Sequence, residues 1–361
     1  YPGIMDNNLT IGQVLRIRNI AEKIDSDDQE FYEDVIEEDV SINLGILLPF
    51  KLEEYRDLTS QEIFTGNKLA NMVTDFYMGA KIAIDSLTQQ GVTINTSILD
   101  TGNRGENVPK IVNSDALDDM DIVIGPFYSD KAELVANKVS TNVIFPHFSR
   151  NQKDFASSRL VKAEPDLSTH STYLSTYLKE NYKGQTIFIV GDDASEPVMK
   201  ALVSSLQEHD SINEVHVLKP ENGYIKKERF TDKMKENSHS WLIMTSEDNV
   251  VVADALNSMV VLPENVTAQV FAIDKNSAYD QIDNNKLARI KFSYVTNTFD
   301  DVNDFNTKAF NKKYRALNFA PPSQYSIKGF DVTYDVLMRL ASGDVLTNTF
   351  NKFPQFKKSC K

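Results

Sequence analysis

The sequence is poor in cysteine and in long apolar segments. Its single cysteine, Cys360, is the penultimate of 361 residues, which excludes an internal disulfide framework and a cysteine-rich zinc site. One cysteine also counts against a eukaryotic secreted ectodomain, and it is compatible with a bacterial periplasm. No run of about 18 apolar residues occurs, so the sequence predicts no membrane-spanning helix.

Positive charge is scarce as well. The chain has 38 Lys and Arg against 52 Asp and Glu, which gives a formal net charge of −14 at pH 7. Binding to nucleic acid needs a basic face that neutralises phosphates, and none of the Lys/Arg clusters forms one. The composition therefore excludes a nucleic-acid partner.

Catalytic and metal-binding motifs are missing too. The sequence contains no Gly-Lys-Thr phosphate loop, no Gly-x-Ser-x-Gly elbow and no Gly-x-Gly-x-x-Gly. Asp192-Asp193 is better explained as a cap of the following helix than as a metal site. The histidines are scattered without metal-ligand spacing: His147, His170, His209, His216 and His239. We therefore expect a protein that is not an enzyme and that has no metal or cofactor.

The order of strands and helices predicts two α/β lobes. Hydrophobic residues make up 41% of the chain and aromatic ones 10%, enough for two cores. Strand and helix patterns alternate through residues 41–165 and again through 166–297, which indicates two doubly wound parallel sheets with right-handed crossovers. Helical spacing returns in residues 298–345, and residues 346–361 are expected to be a strand of the second lobe or a tail.

Two polar segments interrupt this pattern. Residues 19–40 are dense in Asp and Glu, with Lys23 as the sole basic residue, and such charge predicts a solvated linker or an exposed helix. Residues 51–65 are predicted to form a polar loop, long enough to be functional or mobile.

Two strands of the first lobe end in similar loops. Residues 121–124 form an apolar strand that stops at Gly125-Pro126 and leads to Ser129, and residues 143–145 lead through Pro146 to Ser149. Either motif alone is common wherever a strand ends in a loop and does not by itself indicate a binding site. Together they place two hydroxyls beyond the carboxyl ends of parallel strands, where open α/β sheets bind small molecules. His147 lies beside them, and we expect it to pack or hydrogen-bond rather than to bind a metal.

The first 18 residues resemble the C-terminal half of a LysM module. The matching residues are Pro2, Gly3, Ile4, Leu9, Ile11, Gly12, Gln13, Leu15 and Ile17, whereas Arg18 stands where the module usually ends in proline. LysM modules bind N-acetylglucosamine polymers such as peptidoglycan, and half a module is not expected to hold glycan by itself. Because the sequence begins in the middle of this motif, we expect it to be a processed or truncated piece.

Residues 41–345 resemble the type I periplasmic binding proteins and the related extracellular receptor domains. Residues 76–85 resemble their "phe-x-x-gly-x-x-x-ala-x-asp" helix, residues 121–129 their "val-ile-gly-pro-x-x-ser" loop, and residues 310–331 their "phe-x-x-x-tyr … pro … gly-tyr-asp" segment. The half-LysM followed by this pattern is similar to LysM-fused homologues in Bacteroidota, which are described as amino-acid ABC transporter substrate-binding proteins. The resemblance implies two lobes joined by three crossovers, with residues 298–345 returning to the first lobe.

The resemblance also implies a binding site. In the family a solute lies between the lobes, which close over it, and in amino-acid binders hydroxyls of the first lobe hold its carboxylate. The second lobe supplies an aromatic residue and an acid for the ammonium group, although the expected tyrosine is missing after the Trp241 strand. Carried over to this chain, the expected ligand-binding residues are Phe127, Tyr128, Ser129, His147, Phe148, Ser149, Thr245, Ser246 and Asp274.

Two functions are compatible with these residues. The first is solute binding, of an amino acid or a small carboxylate, in a periplasmic or outer-membrane-associated protein tethered to peptidoglycan through a complete LysM region. The second is a solute-free scaffold or regulator within an envelope protein complex, which the bulky His147-Phe148 pair favours. An open polar cleft in the structure would support the first function and a cleft plugged by side chains the second.

Overall fold

The computed structural model describes residues 31–32, 35–236, 238–297, 303–343, 345–349 and 353–354. The strands in chain order are β1 Phe31–Tyr32, β2 Ser41–Leu48, β3 Thr93–Asp100, β4 Ile122–Ile124, β5 Asn142–Phe145, β6 Leu160–Lys162, β7 Thr186–Val190, β8 Val215–Leu218, β9 His239–Met244, β10 Thr267–Ala272, β11 Ser293–Tyr294 and β12 Phe353–Pro354. The α-helices are α1 Leu52–Tyr55, α2 Ser60–Phe64, α3 Lys68–Gln89, α4 Val108–Val112, α5 Ser129–Ala136, α6 Leu167–Glu180, α7 Glu196–Gln207, α8 Glu228–Thr231, α9 Asn249–Val260, α10 Asn284–Arg289, α11 Phe305–Asn318 and α12 Gln324–Ala341. The half-LysM at residues 1–18 lies outside the described residues.

Two five-stranded parallel sheets form the frame. The first has the order β3-β2-β4-β5-β6 and the second the order β11-β10-β9-β7-β8. In each sheet the second strand of the series lies on one side of the first and the remaining three on the other, so both lobes have the same winding. This confirms the predicted α/β class with two doubly wound parallel sheets.

Each sheet is buried on both faces, which explains the near-continuous apolar runs of its strands. In β2 the side chains of Leu44, Ile46 and Leu48 face one core, which α3 and α12 cover, whereas Leu47 faces the core under α4 and α5. Side chains alternate between faces along a strand, so one apolar run serves both cores. The second lobe repeats this arrangement with two cores of its own.

The last two long helices pack on the first lobe. Phe310 and Tyr314 of α11 and Phe330 of α12 are buried in the core that includes Phe76 of α3. Gly79 of α3 and Gly329 of α12 allow the two helix backbones to touch, because a Cβ atom on either glycine would overlap a carbonyl oxygen of the other helix. The chain therefore crosses to the second lobe after β6 and returns before α11.

Some segments differ from the sequence-based expectation. Residues 51–65 are not a plain loop, because they contain α1 and α2, and a capping box between Thr59 and Glu62 begins α2. From the sequence we expect a helix over residues 228–236, but α8 ends at Thr231. Within the predicted linker, residues 35–40 lie against the first lobe, where the Glu37 amide donates to the Ala341 carbonyl at 2.9 Å.

Two short strands near the ends of the described chain pair with each other. Phe31 lies opposite Phe353 and Tyr32 opposite Pro354, in a parallel two-stranded sheet separate from both lobes. Within the described ranges, no helix is both long and apolar enough to cross a membrane.

Candidate functional site

A cavity of about 880 Å³ lies where the two lobes face each other. The first lobe contributes the loop after β5, with Phe148, Ser149, Arg150 and Lys153. The second lobe contributes the carboxyl ends of β7, β9 and β10 and the sides of α6 and α7. Because β7 and β9 flank the point where the strand order of the second sheet reverses, the cavity occupies the position that open α/β sheets use for ligands.

One carboxylate organises the second-lobe wall of this cavity. Oδ1 of Asp192, which follows β7, accepts from the Ser195 amide at 2.9 Å, and its Oδ2 accepts from the Ser246 hydroxyl after β9. Burial raises the pKa of Asp192, but the hydrogen bonds from Ser246 and Ser195 outweigh it and hold this pKa below its usual value. Asp192 thus joins two strand-end loops. The expected capping of α7 by Asp192-Asp193 is wrong, because Ser195 is the N-cap of this helix and Asp192 accepts from the Ser195 amide rather than from an amide within the helix.

The hydroxyls of Thr245 and Ser246 are engaged in the same network. Thr245 Oγ1 lies 3.2 Å from Ser195 Oγ, and Ser246 Oγ accepts from the Asp248 amide at 3.0 Å. Gly191 is required beside them, because a Cβ atom there would collide with Ser195, Thr245 and Met199. Both predicted residues line the cavity, and their hydroxyls shape its wall.

An acid and an aromatic side chain stand next to each other on the same wall. Asp274 follows β10 and is half-buried, and Tyr279 ends a short 3₁₀ turn at Ser277–Tyr279. Burial, and then the charge of Asp274, raises the pKa of the Tyr279 phenol well above its ordinary value. Asp274 and Tyr279 both line the cavity.

The first-lobe wall is built on a capped turn. Ser149 Oγ accepts from the Asn151 amide at 3.3 Å, and the Ser149 amide donates to Gln152 Oε1 at 3.0 Å. Arg150 forms an ion pair with Glu247 of the second lobe, and both residues line the cavity. Positive charge from Arg150 and Lys153 therefore faces a second-lobe wall rich in Asp and Glu.

Four predicted site residues lie outside the lining of this cavity. Phe127 is buried and packs edge-on against Phe76 and His147, with ring centroids 5.2 Å and 5.0 Å away. Tyr128 precedes α5 and Ser129 is its first residue, both half-buried. The cavity brings together the other five predicted residues, Phe148, Ser149, Thr245, Ser246 and Asp274.

His147 lies within the first lobe rather than in the cavity. Its Nε2 is 2.7 Å from the Phe127 carbonyl and its Nδ1 is 3.0 Å from the Phe148 carbonyl. Burial lowers the pKa of His147, the two carbonyls raise it, and the charge of Lys328 lowers it, with a net decrease. A neutral imidazole can donate to one of the two carbonyls, so the ring fixes the loop after β4 to the loop after β5.

Polar side chains also hold the first crossover between the lobes. Nε2 of the buried Gln152 donates to the Glu164 carbonyl at 2.9 Å and to Asp166 Oδ1 at 2.8 Å. Lys328 of α12 forms an ion pair with Glu164. Burial lowers the pKa of Lys328 to about 8, whereas the adjacent carboxylate acts in the opposite direction by stabilising the ammonium form. The turn that carries Ser149 is thus tied to the hinge.

Sequence reasoning missed a large part of the lining. One wall is a row of hydroxyl residues on α6, and the facing wall is the apolar side of α7. The cavity-lining residues of these two helices are Leu167, Ser168, Ser171, Thr172, Ser175, Pro197, Val198, Ala201, Leu202 and Ser205. The spacing of Ser168, Ser171, Thr172 and Ser175 would have revealed one helical face, but it resembles an ordinary solvated surface. In the parts of the chain that the structure describes, no cluster of His, Cys, Asp and Glu could hold a metal ion.

No protein-family model and no curated protein matches this sequence significantly, whereas many solved structures match the fold. One is assigned to a branched-chain amino acid ABC transporter of Rhodospirillum rubrum, with a TM-score of 0.61, 13% identity, and coverage of 89% of this chain and 87% of that one. Another is an amino acid ABC transporter substrate-binding protein of Pseudomonas fluorescens Pf-5, with a TM-score of 0.52, 11% identity, and coverage of 87% and 83%. The chain has the type I periplasmic-binding-protein fold.

A third structure agrees with this assignment of the fold. It is a branched-chain amino acid ABC transporter periplasmic ligand-binding protein of Burkholderia xenovorans LB400, with a TM-score of 0.51, 12% identity, and coverage of 83% of this chain and 78% of that one. In the type I fold of this chain, the cavity between the lobes is the candidate binding site.

Proposed function

We propose that this protein is a solute-binding protein of the cell envelope, without enzymatic activity, that holds an amino acid or a small carboxylate between its lobes. The observation that carries the proposal is the cavity of about 880 Å³ lined by both lobes, with Arg150 and Lys153 on one wall and Asp274 and Tyr279 on the other. A zwitterion would place its carboxylate near the basic wall and its ammonium near the acidic one. Closure of the lobes would exclude water and strengthen both contacts.

Ser129 is proposed as a second carboxylate-binding hydroxyl in addition to Ser149, which lines the cavity. Ser129 begins an α-helix of the first lobe, and helix N-termini favour anions because their amides lack intrahelical acceptors. Phe127, Tyr128 and His147 support the same loop.

Thermal unfolding against a panel of amino acids, small carboxylates and peptidoglycan fragments tests the proposal. A ligand at about a hundred times its Kd adds about 2.7 kcal/mol to the folded state, so for a chain of this length the Tm should rise by roughly 3 to 4 °C with one class. The protein must first be unfolded and refolded to remove any ligand that co-purifies. No shift with any member of the panel would contradict solute binding.

Two substitutions then assign the site. Asp274→Asn is isosteric, and we expect it to weaken the binding of an amino acid by about tenfold or more while a carboxylate without an amine binds as before. Ser129→Ala should weaken both ligands by about 1 to 3 kcal/mol, the scale of a lost bond to a charged group. Titration calorimetry measures both, and unchanged affinity in either variant removes that residue from the site.

A second candidate function is a solute-free scaffold or regulator in an envelope protein complex. The observation in its favour is the aromatic packing of Phe127, Phe145 and His147, which occupies the first-lobe interior next to the expected carboxylate site. The ligand panel distinguishes the two functions, because a solute-free scaffold should show no rise in Tm with any ligand.

Tethering to peptidoglycan through a full LysM region is a separate proposal, supported by the resemblance of residues 1–18. The periplasmic location is likewise a proposal.

A further inference from the structure

The cavity extends from the cleft into a groove between α6 and α7. Both helices begin at the cleft, and the lining continues to Ser175 on α6 and to Ser205 on α7. At 1.5 Å per residue, Ser175 lies about 12 Å along α6 and Ser205 about 14 Å along α7. At that point the Ser205 hydroxyl donates to Ser175 Oγ at 3.0 Å, which closes the groove. We call this part of the cavity the α6–α7 groove.

One wall and the floor of the α6–α7 groove are apolar. Pro197, Val198 and Ala201 line it from α7, and the floor is formed by Leu202 and Met244, each 1% exposed. No charged side chain lines the groove between its mouth at Asp166 and its closed end. Contact with a hydrocarbon is the interaction that such a surface favours.

The opposite wall carries four hydroxyl residues of α6, and the protons of the two deepest hydroxyls are already used. Thr172 Oγ1 donates to the Ser168 carbonyl at 3.0 Å, and Ser175 Oγ donates to the Thr172 carbonyl at 2.9 Å. A hydroxyl that bonds its own helix loses little when an apolar group covers it, because its donor stays satisfied. The deep part of this wall, at Thr172 and Ser175, can therefore be covered by an apolar chain at little cost.

The size of the cavity points in the same direction. About 880 Å³ lies in the upper part of the range of roughly 300–1,000 Å³ that encloses drug-sized ligands, and a single small amino acid fills only a fraction of it. The charged side chains that line the cavity are confined to one end, and the apolar surface extends from there to the Ser175–Ser205 contact, behind which the Lys179 ammonium donates to Ser205 Oγ at 3.3 Å. Such a lining matches an amphipathic molecule.

We propose that the solute has a charged head and an unbranched aliphatic tail, and that the tail lies in the α6–α7 groove. This inference rests on the proposed solute-binding function and specifies its ligand class. The head lies between Arg150 and Asp274, and the tail extends along Val198 and Ala201 towards Ser205.

Titration calorimetry with two homologous series tests the inference. The first series consists of alanine, norleucine, α-aminooctanoic acid and α-aminodecanoic acid, and the second of acetate, hexanoate, octanoate and decanoate. Burial of each methylene should tighten binding about fourfold until the groove is full. A plateau in affinity, followed by a loss in the longest members, marks its closed end.

Substitutions on α7 locate the tail. Ala201→Phe fills the groove from an exposed position of the helix, so long-chain members should lose most of their gain while the shortest member of the series binds as in the wild type. Ser204→Phe adds the same ring to an exposed residue of α7 that does not line the cavity, and it should leave the chain-length dependence unchanged.

The outcomes separate the two levels of the proposal. Binding of short amino acids with no dependence on chain length would overturn the tail site and leave solute binding intact. A chain-length dependence that persists in Ala201→Phe would show that the tail lies elsewhere, and it would also overturn the inference. Absence of binding by every member would overturn the inference, and it would overturn the proposed function as well if the thermal panel also gives no shift.

Discussion

Among single residues, Asp192 is the one on which the second-lobe wall depends. It accepts hydrogen bonds from the Ser195 amide and from the hydroxyl of Ser246, which is 2% exposed. We expect Asp192→Ala to lower the free energy of unfolding by about 1 to 3 kcal/mol, because two donors lose their acceptor and one of them is buried. Urea denaturation measures this loss.

Its neighbour Asp193 provides the control. The Asp193 side chain is 95% exposed and contacts Lys219 at 2.9 Å. Exposed ion pairs contribute about 0 to 1 kcal/mol, so Asp193→Ala should cost less than the change at Asp192. Equal losses in the two variants would contradict the role assigned to Asp192.

The stabilisation by Asp192 also depends on pH in a defined direction. Burial alone would raise its pKa, but the hydrogen bonds from Ser246 and Ser195 lower it below the ordinary value. A carboxyl group whose folded-state pKa is lowered stabilises the fold fully above its unfolded pKa of about 3.9 and loses this effect as the pH falls through the folded value. The advantage of the wild type over Asp192→Ala should therefore be constant at neutral pH and shrink below about pH 4. An advantage that grows on acidification would contradict it.

Strand ends made part of the site predictable from the sequence. Ser149 lies four residues after β5 and Asp274 two residues after β10, and the carboxyl ends of parallel strands meet at one edge, so their place in the cavity could be anticipated. Tyr279 could not be anticipated in the same way, since it follows β10 at the end of a separate 3₁₀ turn. Ala201 and Ser171 were missed because inter-helix grooves depend on how far apart two helices pack, which residue spacing alone does not determine.

Among the elements, the pair α3 and α12 joins the last part of the chain to the first lobe. A Cβ atom on Gly79 would overlap the Ser326 carbonyl, and one on Gly329 would overlap the Phe76 carbonyl. We expect Gly79→Ala to lower the free energy of unfolding by about 1 to 3 kcal/mol or more, because the helices must move apart. Thr88→Ala, at an exposed position of the same helix, should change it by less than about 0.5 kcal/mol.

Chemical denaturation of both variants checks the expectation. A stabilised Gly79→Ala would contradict it, since alanine is intrinsically the better helix former and only the contact with α12 opposes the change. These glycines also explain the resemblance physically: the "phe-x-x-gly" and "gly-tyr-asp" patterns mark the closest approach of two helix backbones.

The spacing of apolar residues predicted most of the helices. In residues 51–65, however, the polar composition led to the prediction of a loop where the structure has two short helices. Apolar residues recur at helical spacing from Leu69 to Leu87, and this recurrence over many turns predicts α3. Residues 51–65 look like a loop because they are polar, yet Thr59 and Glu62 form a capping box that begins a short helix with no buried residue. A helix without buried residues has no periodic pattern of apolar residues by which it could be recognised in the sequence.

For the whole molecule, the relation between the lobes is the property that the sequence could not supply. The winding of each sheet follows from alternating strands and helices, but the angle of closure depends on a few contacts across the cleft. Arg150 after β5 and Glu247 after β9 form one such contact, and both line the cavity. Their side chains are 70% and 39% exposed, so the pair contributes about 0 to 1 kcal/mol.

A contribution of that size matters for an equilibrium between open and closed lobes, since 1 kcal/mol changes it by about fivefold. We expect Arg150→Glu to favour the open form, because it places two like charges across the cleft. The radius of gyration from small-angle X-ray scattering should rise, and binding of any solute that the closed form holds should weaken. The folded stability of each separate lobe should not change.

The exchange of the two charges provides the decisive control. In Arg150→Glu combined with Glu247→Arg the pair is restored with reversed polarity, so the radius of gyration should return towards the wild-type value. At about 1 M salt the screening length falls to about 3 Å, and the difference between Arg150→Glu and the wild type should diminish. A double variant that stays as open as the single one would show that Arg150 acts through the shape of its loop, and the ion pair would then have no part in lobe closure.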